Sequence, residues 1–82
     1  MTRYYFDIRE GDDFVPDEEG LELSTLQAVQ EEAARSLADM ARDAVRGEPD
    51  GAAHDMSIEV RDANGPVMDV KFGFRVNWKQ RH

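Results

Sequence analysis

One amphipathic segment constrains the fold of this chain more than any other. Between residues 25 and 46, apolar side chains recur at steps of three and four, and most positions between them are charged or polar. This periodicity predicts an α-helix with one buried stripe. The stripe consists of Leu26, Val29, Ala33, Leu37, Met40, Ala44 and Val45. Because alanine buries little area, the helix is expected to be a modest cover for whatever it packs against.

The ends of the helix also have recognisable chemistry. Ser24, with Gln27 three residues later, fits a capping box, and Thr25 is an alternative N-cap. At the other end, Gly47 suits the left-handed position that terminates a helix, and Pro49 prevents its resumption. The sequence therefore predicts a helix over about residues 25–46.

The segments on both sides of the helix alternate between apolar and polar residues, which is typical of strands with one buried face. The first alternation covers residues 2–9, the second begins at Met56, and the third begins at Val67. The predicted inward-facing residues are Tyr4, Phe6, Ile8, Met56, Ile58, Val60, Met68, Val70, Phe72, Phe74, Val76 and Trp78.

Turn signals connect these strands. Residues 10–13 and 62–65 favour tight turns, and in the second hairpin Met56 is expected near Phe72 and Val60 near Val67 or Met68. A second strand around Phe14 would be short and at an edge, because Pro16 cannot donate to a ladder. Residues 21–23 alternate once more, and the sequence leaves open whether they form a strand or a loop. Residues 48–55 are a loop by composition.

These elements predict a single α+β domain over residues 1–82, with residues 79–82 frayed. The order is β-β-α-β-β, and the strands form an antiparallel sheet of three or four strands with the helix packed on one face. The strand order within this sheet stays open.

The last predicted strand has more apolar side chains than its hairpin partner covers. Phe74, Val76 and Trp78 extend past the end of the 56–61 strand. They would pair with the first strand and make the last strand central, fold back over the monomer core, or meet a second chain. An exposed apolar strand end is typical of an interface. We therefore expect a homodimer that uses Phe74, Val76 and Trp78 as its self-association surface.

Composition excludes several classes of function. The 82 residues contain no cysteine, so disulfides and thiolate metal sites are excluded. The net charge of −8 makes binding to phosphate backbones unlikely. The sequence shows no secretory or membrane-spanning segment, and a cytoplasmic location without membrane association is expected.

Candidate chemistry is sparse, and no catalytic, cofactor or metal residue is predicted. The acidic residues between positions 12 and 19 lack the spacing of a calcium loop. His54 lies beside Asp55, but adjacent side chains diverge and seldom form an acid–base pair. We expect a non-enzymatic protein-interaction or self-associating module. The alternatives are an unrecognised enzyme, or a single-strand nucleic-acid binder that uses Tyr5, Arg61, Lys71 and Arg75 on the outer sheet face.

Several pieces of the chain resemble one family of small bacterial proteins. They are RYYFDIR at 3–9 with Gly11, PDEEGLEL at 16–23, the alanine-rich helix, and VRD at 60–62 with Gly65. The family is common in soil alphaproteobacteria and has no established activity. Its members often carry His where this chain has Asp7, and an acid where it has Thr25. The resemblance implies a free-standing cytosolic domain and no mechanism.

Overall fold

The fold is α+β, as the sequence predicts. A computed structural model describes residues 1–46, 53–77 and 79–80. Its elements are β1 (Thr2–Glu10), β2 (Asp13–Val15), β3 (Leu21–Leu23), α1 (Leu26–Arg46), β4 (Ala53–Asp62) and β5 (Gly65–Arg75). The predicted helix boundaries are confirmed. Residues 21–23 form a strand, so the sheet has five strands in the order β-β-β-α-β-β along the chain.

All strand pairs are antiparallel, and the sheet order is β2-β1-β4-β5. The short strands β2 and β3 share one side of β1. Val15 of β2 pairs with Ile8, and Leu23 of β3 pairs with Thr2. The loop at residues 16–20 therefore lies beside the middle of β1, where neither short strand reaches.

The hydrophobic core lies between α1 and the sheet, with β4 at its centre. Ile58 and Val60 of β4 and Val29 of α1 are fully buried. The rest of the buried apolar set is Tyr4, Ala33, Leu37, Ala41 and Met56. The predicted burial of Leu26 is wrong: it is 58% exposed, because it begins the helix ahead of the part that packs on the sheet.

Thr25 is the N-cap of α1. Its Oγ1 accepts a hydrogen bond from the N–H of Ala28 at 3.0 Å, and its carbonyl accepts one from Val29 at 3.2 Å. The alternative cap weighed from the sequence is therefore the one the chain uses, in place of the Ser24 capping box. Gly47 and Pro49, the predicted stop signals, lie outside the described residues.

The second hairpin pairs as predicted at Met56–Phe72 and Val60–Met68. However, β4 starts at Ala53, so residues 53–55 are strand instead of loop, and Phe74 does have a partner, His54. The suggestion that the last strand is central is wrong, because β4 separates β5 from β1. Val76 follows β5 and is half-buried. Trp78 lies outside the described residues.

The cap can be tested with a matched pair of variants. Thr25→Ala removes the acceptor for the Ala28 N–H and should lower the free energy of unfolding by about 1 kcal/mol in urea titrations. Ser24→Ala is the control and should change it by less than about 0.5 kcal/mol. Equal losses in the two variants would contradict the assignment of Thr25 as the cap.

Candidate interaction surface

Strand β5 presents a long free edge. It has eleven residues and pairs with β4 on one side, and none of the other described strands lies on its far side. Free edges carry backbone N–H and C=O groups that can pair with another strand. The edge is apolar on the helix side, where Val70 and Phe72 are half-buried, and charged on the outer side.

The direction of the backbone groups follows from the register. Neighbouring residues in an antiparallel sheet point these groups to opposite sides. The N–H of Phe6 bonds to Asp17, away from β4, so the odd-numbered residues of β1 bond to β4. It follows that the even-numbered residues of β4 bond to even-numbered residues of β5. The outward-pointing groups of β5 therefore belong to Asp69, Lys71, Gly73 and Arg75.

An apolar groove runs beside this edge, between α1 and β5. Its volume is about 430 Å³, and it is lined by Ala34, Leu37, Ala38, Ala41, Val70, Lys71 and Phe72. The groove exists because Ala34 and Ala38, which face it from the helix, are too short to fill it. Both alanines are exposed, whereas Leu37 and Ala41 below them are buried. We call the free edge of β5 and this groove together the β5 surface.

The opposite, outer face of the sheet is polar and internally paired. Arg9 Nε donates to Glu59 Oε2 at 2.8 Å, and Lys71 Nζ lies 3.8 Å from Asp69 Oδ2. The hydrogen bond to Glu59, together with its charge, raises the pKa of Arg9. The guanidinium of Arg61 stacks on the ring of Tyr5, 4.4 Å from the ring centre. The predicted nucleic-acid residues do share this face. Arg61 and Tyr5 are engaged with Asp7 and with each other, whereas Lys71 and Arg75 are exposed.

Asp17 closes the gap between β2 and β3. Its Oδ2 accepts a hydrogen bond from the N–H of Phe6 at 3.1 Å, and its Oδ1 accepts bonds from Glu19 at 3.1 Å and Gly20 at 3.2 Å. The carboxylate thus satisfies a donor of β1 that has no strand partner, while it folds its own loop. We call this arrangement the Asp17 clamp.

An ion pair between buried Asp7 and half-exposed Arg61 anchors the Asp17 clamp to β4. Asp7, only 6% exposed, accepts hydrogen bonds from the N–H of Asp17 at 2.9 Å and from Arg61 Nε at 2.9 Å. Arg61 also donates to the carbonyl of Asp17 at 3.0 Å and stacks on Tyr5. Three of the segments that carry the family resemblance therefore meet here.

The pKa of Asp17 reflects this environment. Burial raises the pKa, but the hydrogen bonds from Phe6, Gly20 and Glu19 and the charge of Arg61 lower it by more. The net result is a pKa below the ordinary value of 3.8. The carboxylate is therefore held in its charged form by the fold.

The other predicted chemical candidates do not assemble into a site. Within residues 1–46, 53–77 and 79–80, no three His, Asp or Glu side chains are placed to hold a metal ion. His54 lies on β4, and its Nδ1 is 3.9 Å from Glu10 Oε2 of β1. In the same described ranges, no helix combines the length and apolar character that crossing a bilayer requires.

Comparison with known proteins identifies the family. Residues 3–73 match the family described as a domain of unknown function (DUF6894). This chain belongs to that family. The match spans β1 to most of β5, and so includes the Asp17 clamp and much of the β5 surface. No curated protein and no solved structure shows a significant match.

Sequence reasoning missed two of these features. Asp17 is one of several acids in a row, so its role was not apparent from the sequence. The available signal was Gly20, three residues later, which allows the turn that the Asp17 carboxylate closes. The groove was hidden because Ala34 and Ala38 lie beside the predicted stripe. The predicted self-association residues Phe74 and Val76 lie at and just beyond the end of the β5 surface, and their role stays a prediction.

Gly20 tests how tightly the Asp17 clamp is packed. Its φ is 74°, and an added Cβ would lie 2.9 Å from Arg3 Cγ and from Tyr5 Cε1. Gly20→Ala should lower the free energy of unfolding by about 2–4 kcal/mol, because strain and a clash add. Gly11→Ala is the control: its φ is 59° and its Cβ would meet open space, so about 1–2 kcal/mol is expected. Equal losses in urea titrations would contradict a tight approach at Gly20.

The lowered pKa of Asp17 predicts an acid-sensitive contribution to stability. When a carboxylate has a lower pKa in the folded than in the unfolded state, it stabilises the fold at pH values above its unfolded pKa, which is about 3.8 for Asp17. This stabilisation is lost as the pH falls through the pKa of the folded state. The free energy of unfolding should therefore fall less between pH 5 and pH 2 in Asp17→Asn than in the wild type. Glu18→Gln, at an exposed neighbouring carboxylate, should retain the wild-type slope. An unchanged slope in Asp17→Asn would contradict the assignment.

Proposed function

We propose that this protein is a non-enzymatic protein-interaction module whose docking site is the β5 surface. The observation that carries the proposal is the combination of an eleven-residue strand, whose outer edge is covered by none of the other described strands, with an apolar groove of about 430 Å³ beside it. A partner strand would gain hydrogen bonds from the edge, and its side chains would find an apolar pocket between the sheet and the helix. This is the mode of recognition called β-augmentation.

The chemistry of the β5 surface suits a peptide strand. The outward-pointing groups of Asp69, Lys71, Gly73 and Arg75 supply the hydrogen bonds, and these supply affinity without selecting a sequence. Selection then depends on the groove at Ala34 and Ala38 and on the alternating charges of the outer side.

The other function classes have less support. The basic residues Arg9 and Arg61 of the outer face are engaged by Glu59 and Asp7, and Tyr5 is stacked, so phosphates and bases would have to displace existing contacts. In keeping with the resemblance to small bacterial proteins, we place the module in the bacterial cytoplasm.

Site-specific photo-crosslinking in producing cells tests the proposal. A benzoylphenylalanine residue placed at Ala38, in the groove, should give discrete cross-linked adducts. The same residue at Gln30, which is also an exposed helix position but does not line the groove, should give none of these adducts.

A second substitution ties the adducts to the strand edge. Lys71→Pro removes an outward-pointing N–H without removing a hydrogen bond to β4, and proline is tolerated at such positions. In this background the Ala38 adducts should disappear while the circular dichroism spectrum is retained. Identical adducts from both probe positions, or adducts that survive Lys71→Pro, would contradict docking at the β5 surface.

A further inference from the structure

We infer that the strand that docks on the β5 surface is β5 of a second copy, paired antiparallel about a two-fold axis at Phe72. The inference rests on the proposed function, because it names the partner of the same site. It follows from the charges along the free edge, from the position of Pro66 and from the helix face above β5.

The charges of β5 discriminate between the symmetric registers. In a strand paired with its own copy, residues at equal distances on either side of the axis lie opposite each other. With the axis at Asp69 or at Lys71, that residue lies opposite the same residue of the second copy. With the axis at Gly73, Lys71 lies opposite Arg75 of the second copy. Each of these registers brings like charges together, which is unfavourable. Among the axes from Asp69 to Gly73, only those at Val70 and Phe72 avoid this. Asp69 then faces Lys71 of the second copy with the axis at Val70, and Arg75 of the second copy with the axis at Phe72.

Pro66 separates the two remaining registers. With the axis at Val70, the paired region extends to Pro66, which has no N–H, and includes the irregularity where β5 has an extra residue opposite Val60/Arg61. With the axis at Phe72, the paired region is centred on residues 69–75 and both features lie outside it. Gly73 then lies opposite Lys71 of the second copy, where the absence of a side chain leaves room for the lysine stem.

The helix side of the surface fits the same arrangement. A two-fold axis perpendicular to the sheet places both α1 helices on the same face, next to each other across the joined β5 strands. Phe72 meets its own copy, and Val70 faces Phe74 of the second copy. The groove is then closed by the helix and strand of the partner. The small side chains of Ala34 and Ala38 allow the two helices to approach closely, as small residues do at helix interfaces.

This arrangement refines the self-association surface expected from the sequence. Phe74 is part of the paired region, and Val76 lies at its end, opposite Met68. The outward-pointing groups of Asp69, Lys71, Gly73 and Arg75 all find partners, so the edge of β5 over residues 69–75 is covered in the dimer. The result is one continuous ten-stranded sheet.

Disulfide trapping tests the register directly, because the chain has no cysteine of its own. Purified Asp69→Cys and Arg75→Cys should each stay unlinked on mild oxidation, whereas their mixture should give a disulfide-linked dimer. Opposite residues in an antiparallel pair have Cα atoms about 5.5 Å apart, within disulfide range. A mixture of Asp69→Cys and Lys71→Cys should not cross-link. Cross-linking of that mixture would move the axis to Val70, and the absence of all cross-links would overturn the inference.

Charge exchange with sedimentation provides the second test. Asp69→Arg and Arg75→Asp should each weaken self-association roughly tenfold or more, because each places two pairs of like charges opposite each other. Their equimolar mixture should recover it, because both pairs are then of opposite charge. A wild-type protein that sediments as a monomer at high micromolar concentration would overturn the second copy as partner. If Ala38 adducts still formed in cells, the proposed docking site would stand with a different partner.

Discussion

The burial of β4 under α1 is the constraint on which the rest of this structure depends. Ile58 and Val60 are fully buried with Val29, and none of the other described strands has its apolar face covered so completely. Since β4 occupies the centre, β5 is left at the edge with its apolar residues only half-covered. The alanines of the helix reinforce this asymmetry. The helix approaches both β4 and β5, but Ala34 and Ala38 are too short to cover the strand beside them.

The two edges of the sheet differ in how well their backbone groups are satisfied, and this difference supports the docking role proposed for β5. On the β1 side, two short strands and the Asp17 clamp satisfy the backbone along most of its length. The backbone groups at the edge beside β1 are thus paired, whereas those at the outer edge of β5 have no partner strand among the described residues. Beside β1 the protection extends even to the single N–H of Phe6, at the cost of burying Asp7 beside the half-exposed Arg61. The contrast between the protected edge at β1 and the open edge at β5 is the structural basis of the docking role proposed for β5.

The sequence predicts what depends on local periodicity and turn chemistry. The helix, the inward faces of the long strands and the 62–65 hairpin with its Met56–Phe72 pairing were all accessible in this way. The sheet order was not, because nothing within β1 indicates whether it pairs with β4 or β5. Nor was the start of β4, since His54 gains its strand conformation from pairing with Phe74 and not from its neighbours. Asp17 resembles any loop acid until its three hydrogen-bond donors are placed around it.

Size gives the open edge its physical significance. A domain of about 80 residues buries a smaller share of its surface than a larger one, so its stability is marginal and association is a common remedy. Any partner that covers Val70 and Phe72 stabilises the folded state by mass action, since the unfolded chain has no such surface. Docking at β5 would thus complete the half of the core that α1 leaves uncovered. On this view, the incomplete cover of the sheet by its helix is what makes the domain receptive to a partner.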